Sequence, residues 1–272
     1  MRRLIAPIAL LITLAGVVQP VRALTPTHLW SQRFGGPGQD GVTAMAIDAA
    51  GNVTITGSFS NTVDFGGGGG GLVSAGSTDI FIAKYNSAGV HQWSKRIGGT
   101  LADVALGLAL DSSGNPVITG YYNGSVDFGA GLFPSAGGRD IFLAKYVGTG
   151  TYQWAVHFGG SLTDEGHALV VDPMGNVYYT GVFGMNISMG GGTLMSAGVT
   201  DIFLAKFNTA GIFQWSQRFG STNADEGDAI ALDASGNVII TGMFIGTVNF
   251  GGSNQVAVGT EDVFLAKYNS SG

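Results

Sequence analysis

Four aspartates, Asp40, Asp103, Asp164 and Asp225, each follow a tryptophan by ten residues (Trp30, Trp93, Trp154 and Trp215). Carboxylates at one position of a repeat suit a hydrated cation such as Ca2+ if the repeats face one opening, because a divalent ion relieves the mutual repulsion. The competing reading is that each aspartate caps its own glycine-rich turn, once per repeat. A second column, Asp48, Asp111, Asp172 and Asp233, opens four Asp-x-x-Gly-Asn phrases. These lack the several carboxylates a calcium loop sets at alternate positions, and read as structural turns. Lys84, Lys145, Lys206 and Lys267 form a third column, expected to pair with nearby acids.

Specific function is expected where the copies differ. After the column aspartate, two copies read Asp164-Glu165-Gly166-His167 and Asp225-Glu226-Gly227-Asp228, against Asp40-Gly41-Val42-Thr43 and Asp103-Val104-Ala105-Leu106. Glu165, His167, Glu226 and Asp228 are therefore the candidate ligand-binding residues. A metal or acid-base centre would need a second histidine at ligand spacing or a nucleophile motif. Neither accompanies them, so a solvated acidic patch is the favoured reading. Gly35 to Thr43 matches a calcium-binding nonapeptide, but once, whereas that site needs tandem rungs. Phe59, Tyr121, Tyr122, Phe183 and Phe244 offer faces for sugars, although strand-end aromatics usually pack between sheets.

The elements that position these residues follow from the repeat. The tryptophans are 63, 61 and 61 residues apart, the first interval being longer through the extra glycines of 66–71. In the first copy, Ala44–Asp48, Asn52–Phe59, Asp79–Tyr85 and His91–Ile97 read as four strands. The Asp-x-x-Gly-Asn phrase suits a hairpin between the first two, since aspartate accepts backbone N–H groups and glycine supplies a positive φ. The first and third strands are nearly continuous apolar runs, implying burial on both faces. Four-stranded antiparallel units repeated in this way make an all-β propeller of four-stranded blades, over residues 24–272. A solenoid is the alternative, but 61 residues far exceeds a leucine-rich rung. The segment Leu29–Phe34 is a fourth-strand sequence without its own first three strands. It would complete the last blade in a closed four-blade ring, or the chain is a fragment of a larger propeller.

Asp-x-x-Gly-Asn-Val-x-x-Thr-Gly, Asp-x-Phe-[IL]-Ala-Lys and Gly-Gly-x-x-x-Asp together resemble the bacterial β-propeller repeat called the SBBP repeat, over essentially all of residues 29–272. The resemblance implies an exported or surface protein and assigns no chemistry.

Composition narrows the classes further. Of 272 residues, 47 are glycine and none cysteine, while 45% are hydrophobic and only 11% charged. This excludes a disordered chain, a disulfide scaffold and a thiolate metal site. Met1-Arg2-Arg3, the apolar run Leu4 to Val18 and Val21-Arg22-Ala23 have the order of a secretory signal peptide over residues 1–23. Its removal takes three arginines and no acid, moving the balance from −6 to −9. An acidic protein without basic patches is not expected to bind nucleic acid, nor to insert in a membrane after signal removal. The expected function is a non-catalytic, secreted or cell-surface propeller for binding, adhesion or surface assembly, with an extracellular protein or glycan as partner. The alternative is a glycan-processing enzyme using two carboxylates at the propeller mouth.

Overall fold

A computed structural model of the chain describes residues 26–272, so the expected signal peptide lies outside the described residues. Residues 26–30 carry no strand, and Ser31–Gly272 form one unit. The first repeat comprises β1 (Asp40–Ile47), β2 (Val53–Phe59), β3 (Thr62–Val63), β4 (Leu72–Val73), β5 (Asp79–Tyr85) and β6 (His91–Ile97). The second comprises β7 (Val104–Leu110), β8 (Pro116–Tyr122), β9 (Ser125–Asp127), β10 (Leu132–Pro134), β11 (Asp140–Tyr146) and β12 (Tyr152–Phe158). The third comprises β13 (Glu165–Val171), β14 (Val177–Phe183), β15 (Asn186–Ser188), β16 (Thr193–Met195), β17 (Asp201–Phe207) and β18 (Phe213–Phe219). The fourth comprises β19 (Glu226–Leu232), β20 (Val238–Phe244), β21 (Thr247–Asn249), β22 (Asn254–Val256) and β23 (Asp262–Tyr268).

Each of the first three repeats is a four-stranded antiparallel sheet in chain order, as in β1-β2-β5-β6, with a small separate hairpin such as β3-β4 inserted before its third strand. Sequence reading places the four main strands and misses the hairpins, whose two- or three-residue strands are too short for a visible period. Successive first strands pack side by side, β1 on β7, β7 on β13 and β13 on β19. The sheets thus converge on their first strands, a propeller-like arrangement.

The hairpin turns form as their residues dictate. Asp48 accepts the N–H groups of Ala50 and Asn52 at 3.0 and 2.9 Å through one oxygen, and the Asn52 amide at 2.8 Å through the other. Lys84, Lys145 and Lys267 close on Asp48, Asp111 and Asp233 at 3.3, 2.8 and 2.7 Å. In the third repeat Tyr178 occupies this space, and Lys206 lies over its ring at 4.8 Å instead.

Burial follows from which sheets have neighbours. Ile80, Ile82, Ile141, Leu143, Ile202 and Leu204 are fully buried, while their fourth-repeat counterparts Val263 and Leu265 are 79% and 77% exposed. On β1, Val42, Met45 and Ile47 are likewise exposed. The expectation that every first and third strand is covered on both faces therefore fails at the two outer sheets, where no further sheet of the described residues packs.

Two further expectations need correction. Leu29–Phe34 forms no strand, and the fourth sheet, β19-β20-β23, has only three. The segment lies on the first repeat, where Phe34 stacks on Tyr85 at 5.0 Å and the Gln32 amide donates to the Gly89 carbonyl. A tryptophan recurring once per repeat is expected to lie buried between sheets, since truncating such a ring is costly, but Trp93, Trp154 and Trp215 are only half-buried. Each lies across a turn of the next repeat, donating its indole N–H to Gly148, Thr209 or Ser270 at 2.8, 3.0 and 3.3 Å respectively.

Candidate functional site

The site is built on a bulge that recurs in every first strand. Pairing with the second strand slips between Val42 and Ala44, Ala105 and Gly107, Gly166 and Ala168, and Gly227 and Ala229. The extra residues are Thr43, Leu106, His167 and Asp228. A bulge re-aims its unpaired side chain. Here it puts four residues that differ between the repeats along the convergent first strands. Thr43 donates its hydroxyl to the Ala105 carbonyl of the next repeat at 2.6 Å, and His167 Nδ1 lies 3.2 Å from the Gly227 carbonyl. The Thr-Gly pairs make room for the bulge. A Cβ on Gly181 would stand 2.0 Å from the Glu165 carbonyl oxygen, so only glycine fits there.

The aspartate column anchors this row. Asp164 is fully buried and accepts the N–H groups of Gly160 and Gly184 at 2.7 and 2.9 Å, one on each oxygen. Asp103 does the same with Gly99 and Asn123, and Asp225 with Ser221 and Ile245. Asp40 is exposed and caps Gly36 at 2.9 Å. Each buried carboxylate ties its own turn to the loop that follows the second strand. The four are not gathered into one set, and among the described residues no three His, Asp or Glu side chains come together as a metal group. Burial pushes Asp103 and Asp164 up to about 6, against the pull of the N–H groups they accept.

Of the candidate residues, the structure joins Glu165, His167 and Asp228. His167 Nε2 lies 3.6 Å from Glu165 and Nδ1 3.6 Å from Asp228. Arg139, which sequence reading missed, closes on Glu165 at 2.5 Å and covers the Tyr121 ring at 4.2 Å. The Asp164 N–H donates to the Arg139 carbonyl at 2.8 Å, which sets Arg139 beside Glu165. A signal for Arg139 was present: the residue before the Asp-[IV]-Phe phrase differs in each direction, Thr78, Arg139, Thr200 and Glu261. Glu226 makes no hydrogen bond to His167 and acts on it only through its charge. Phe59, Tyr122, Phe183 and Phe244 are buried, so they offer no platform for a sugar.

The charges are mutually adjusted. Burial opposes a charge on His167, but Glu165, Asp228 and Glu226 outweigh it and raise the imidazole above its ordinary 6.5. Burial also opposes ionisation of Glu165, yet His167 and Arg139 hold its carboxyl below the usual range. Glu226 is raised by burial and by Asp228, Glu165 and Glu261, against the pull of His167. Because His167 is raised in the folded state, its stabilisation is full below 6.5 and is lost as pH rises through the higher folded value. An NMR titration should place this imidazole above 6.5, and Glu165→Gln should move it down by about one unit, since a close opposite charge shifts a group by that order. A midpoint at or below 6.5 in both proteins would remove Glu165 as its partner.

No protein-family model matches the chain. It is 28% identical over 185 residues to an uncharacterized WD repeat-containing protein, L264, of Acanthamoeba polyphaga mimivirus, covering 60% of this chain and 13% of that one. It is 30% identical over 168 residues to the regulatory protein FlaEY of Caulobacter vibrioides, covering 59% of this chain and 18% of that one. The chain thus spans less than a fifth of the length of these curated relatives. Among solved structures, a protein of unknown function from Bacteroides caccae aligns with 84% of this chain and 61% of its own, at 10% identity and a TM-score of 0.40. The chain is a repeat protein with a propeller-like fold.

Proposed function

We propose that this is an exported, non-catalytic binding protein of the SBBP-repeat type, and that its ligand surface is the bulge row centred on Arg139, Glu165, His167 and Asp228. One observation carries the reading. Side chains present in every repeat are mostly spent on turns, joints and core, whereas this charged cluster occurs once and stays partly open, with Arg139 45% and Asp228 53% exposed. A fold built from equivalent sheets acquires specificity where one sheet departs from the others. The partner is an extracellular protein or glycan able to exchange hydrogen bonds and charge with a mixed-sign surface.

The glycan-processing alternative has less support. Glu165 is already engaged by Arg139 and His167, and the candidate stacking rings are buried or covered. Binding of the purified protein to cell-envelope material tests the proposal, with protease-treated and periodate-treated samples separating protein from glycan. Arg139→Glu and His167→Ala should each weaken capture at least about tenfold, the change expected for one buried or half-buried charged contact. Capture unchanged by both substitutions would overturn the assignment to this row. Hydrolysis of a glycoside reporter that is lost in Glu165→Gln would establish the enzyme reading instead.

A further inference from the structure

Three positions of the repeat turn apolar together in one copy. Leu162, Met185 and Val199 stand where the first repeat has Gly38, Asn61 and Ser77, and the fourth has Asn223, Gly246 and Thr260. The second repeat shares only a leucine, Leu101, with Gly124 and Gly138 at the other two positions. All three side chains of the third repeat are open to water, at 45%, 52% and 64% exposed. Their apolar character is therefore not spent on the core.

Met185 carries a further cost. At its position the chain passes through the left-handed region, with φ of 61° at Asn61, 71° at Gly124, 52° at Met185 and 74° at Gly246. Glycine and asparagine tolerate that conformation, whereas methionine is strained in it. Strain kept at an exposed position points to a use for the side chain.

The patch is one surface and adjoins the bulge row. Ser161 donates its hydroxyl to Met185 Sδ at 3.3 Å. A Cβ on Gly184 would stand 2.9 Å from Leu162 Cβ and 3.5 Å from the Val199 carbonyl oxygen, so the three segments meet at that glycine. On the other side, the Leu162 carbonyl oxygen lies 2.8 Å from where a Cβ on Gly138 would stand, next to Arg139. Arg139 meets Glu165 through Nη1, and its guanidinium fork carries further N–H donors.

We infer that the ligand of this surface is a protein, recognised through a segment that sets an apolar side chain on Leu162, Met185 and Val199 and a neighbouring carboxylate on Arg139. This rests on the ligand reading of the row and narrows it. An apolar anchor gains by leaving water on such a patch, while sugar hydroxyls would give up water there without gaining partners. The thioether of Met185 adapts its shape to an anchor. A carboxylate on Arg139 makes a charge-assisted bond and fixes the direction of the segment.

Panning a phage-displayed random peptide library on the purified protein should enrich sequences in which an apolar residue neighbours aspartate or glutamate. A synthetic peptide of the enriched sequence should bind at least about tenfold more weakly to Leu162→Asn/Met185→Gly and to Arg139→Glu. The first two substitutions install residues of the fourth repeat, and Met185→Gly relieves the strained φ, so its melting temperature should not fall. A clear fall would make Met185 a structural residue and overturn its role. No enrichment, enrichment of basic sequences, or equal binding to the apolar variants overturns the proposal. Capture of envelope material separates it from the reading beneath. Capture that Arg139→Glu abolishes, that periodate removes in place of protease, and that Leu162→Asn/Met185→Gly/Val199→Thr retains would overturn the protein assignment while keeping the row. Capture unchanged in Arg139→Glu would overturn both.

Discussion

Asp164→Ala should destabilise the protein by about 2 kcal/mol at pH 7 and by roughly twice that near pH 5. The substitution strands two buried N–H groups, of Gly160 and Gly184, which Asp164 now accepts at 2.7 and 2.9 Å. Each orphaned donor costs about 1–3 kcal/mol. Part of that is offset near neutrality, because the variant no longer buries a charge. The pH dependence follows from the raised carboxyl, whose folded value is about 6 against 3.8 for the unfolded group. Its native state holds the proton more tightly, so this contribution is full below 3.8 and is lost as pH rises through 6. A shift of this size is worth on the order of 2–3 kcal/mol. Asp103 acts in the same direction. His157, lowered by burial, acts in the opposite one, losing stability as pH falls through 6.5. Asp111, held low in spite of burial by Lys145 and the Asn115 amide, gives up its contribution only below 3.8. Thermal melts between about pH 5 and 7.5 should therefore show a steeper dependence in the wild type than in Asp164→Ala. Parallel curves would remove Asp164 as a buried, titrating cap. Exposed Asp40 is the internal control, and its alanine variant should change stability by less than about 1 kcal/mol.

Trp154→Ala should cost about 2–4 kcal/mol, near the lower end for a large aromatic because the ring is only half-buried. Gly211→Ala should cost a comparable amount for a linked reason. Gly211 has φ +75°, and a Cβ there would stand 2.7 Å from Trp154 Cδ2. Alanine therefore meets backbone strain and also displaces the indole from the turn it covers. The same pairing joins Trp93 to Gly150 and Trp215 to Gly272. Since one substitution removes the ring and the other pushes it away, the double variant should be less destabilised than the sum of the singles by about 1 kcal/mol or more. Additive melting shifts would mean that tryptophan and glycine do not form a single joint.

The candidate site was partly legible in the sequence. Comparing repeats picked out Glu165, His167, Glu226 and Asp228, because divergence from a fourfold pattern is a local signal. It could not show that His167 and Asp228 are bulge residues, since a bulge alters pairing without altering composition. Nor could it bring Arg139 to Glu165, 26 residues apart, because that approach depends on the Asp164 cap folding one loop onto another.

What the sequence determined by itself is everything that repeats within a few residues: the strand runs, the Asp-x-x-Gly-Asn turns, the Thr-Gly pairs and the count of four copies. These are decided by backbone conformation and side-chain period, which short stretches encode without help from the rest of the chain. Tertiary structure alone decided the relations between copies. Trp93, Trp154 and Trp215 each reach a turn some 55 residues away, and Phe34 stacks on Tyr85 of the first repeat. Identical local patterns can dock on any equivalent neighbour, so only the packed arrangement of the sheets selects which one each meets.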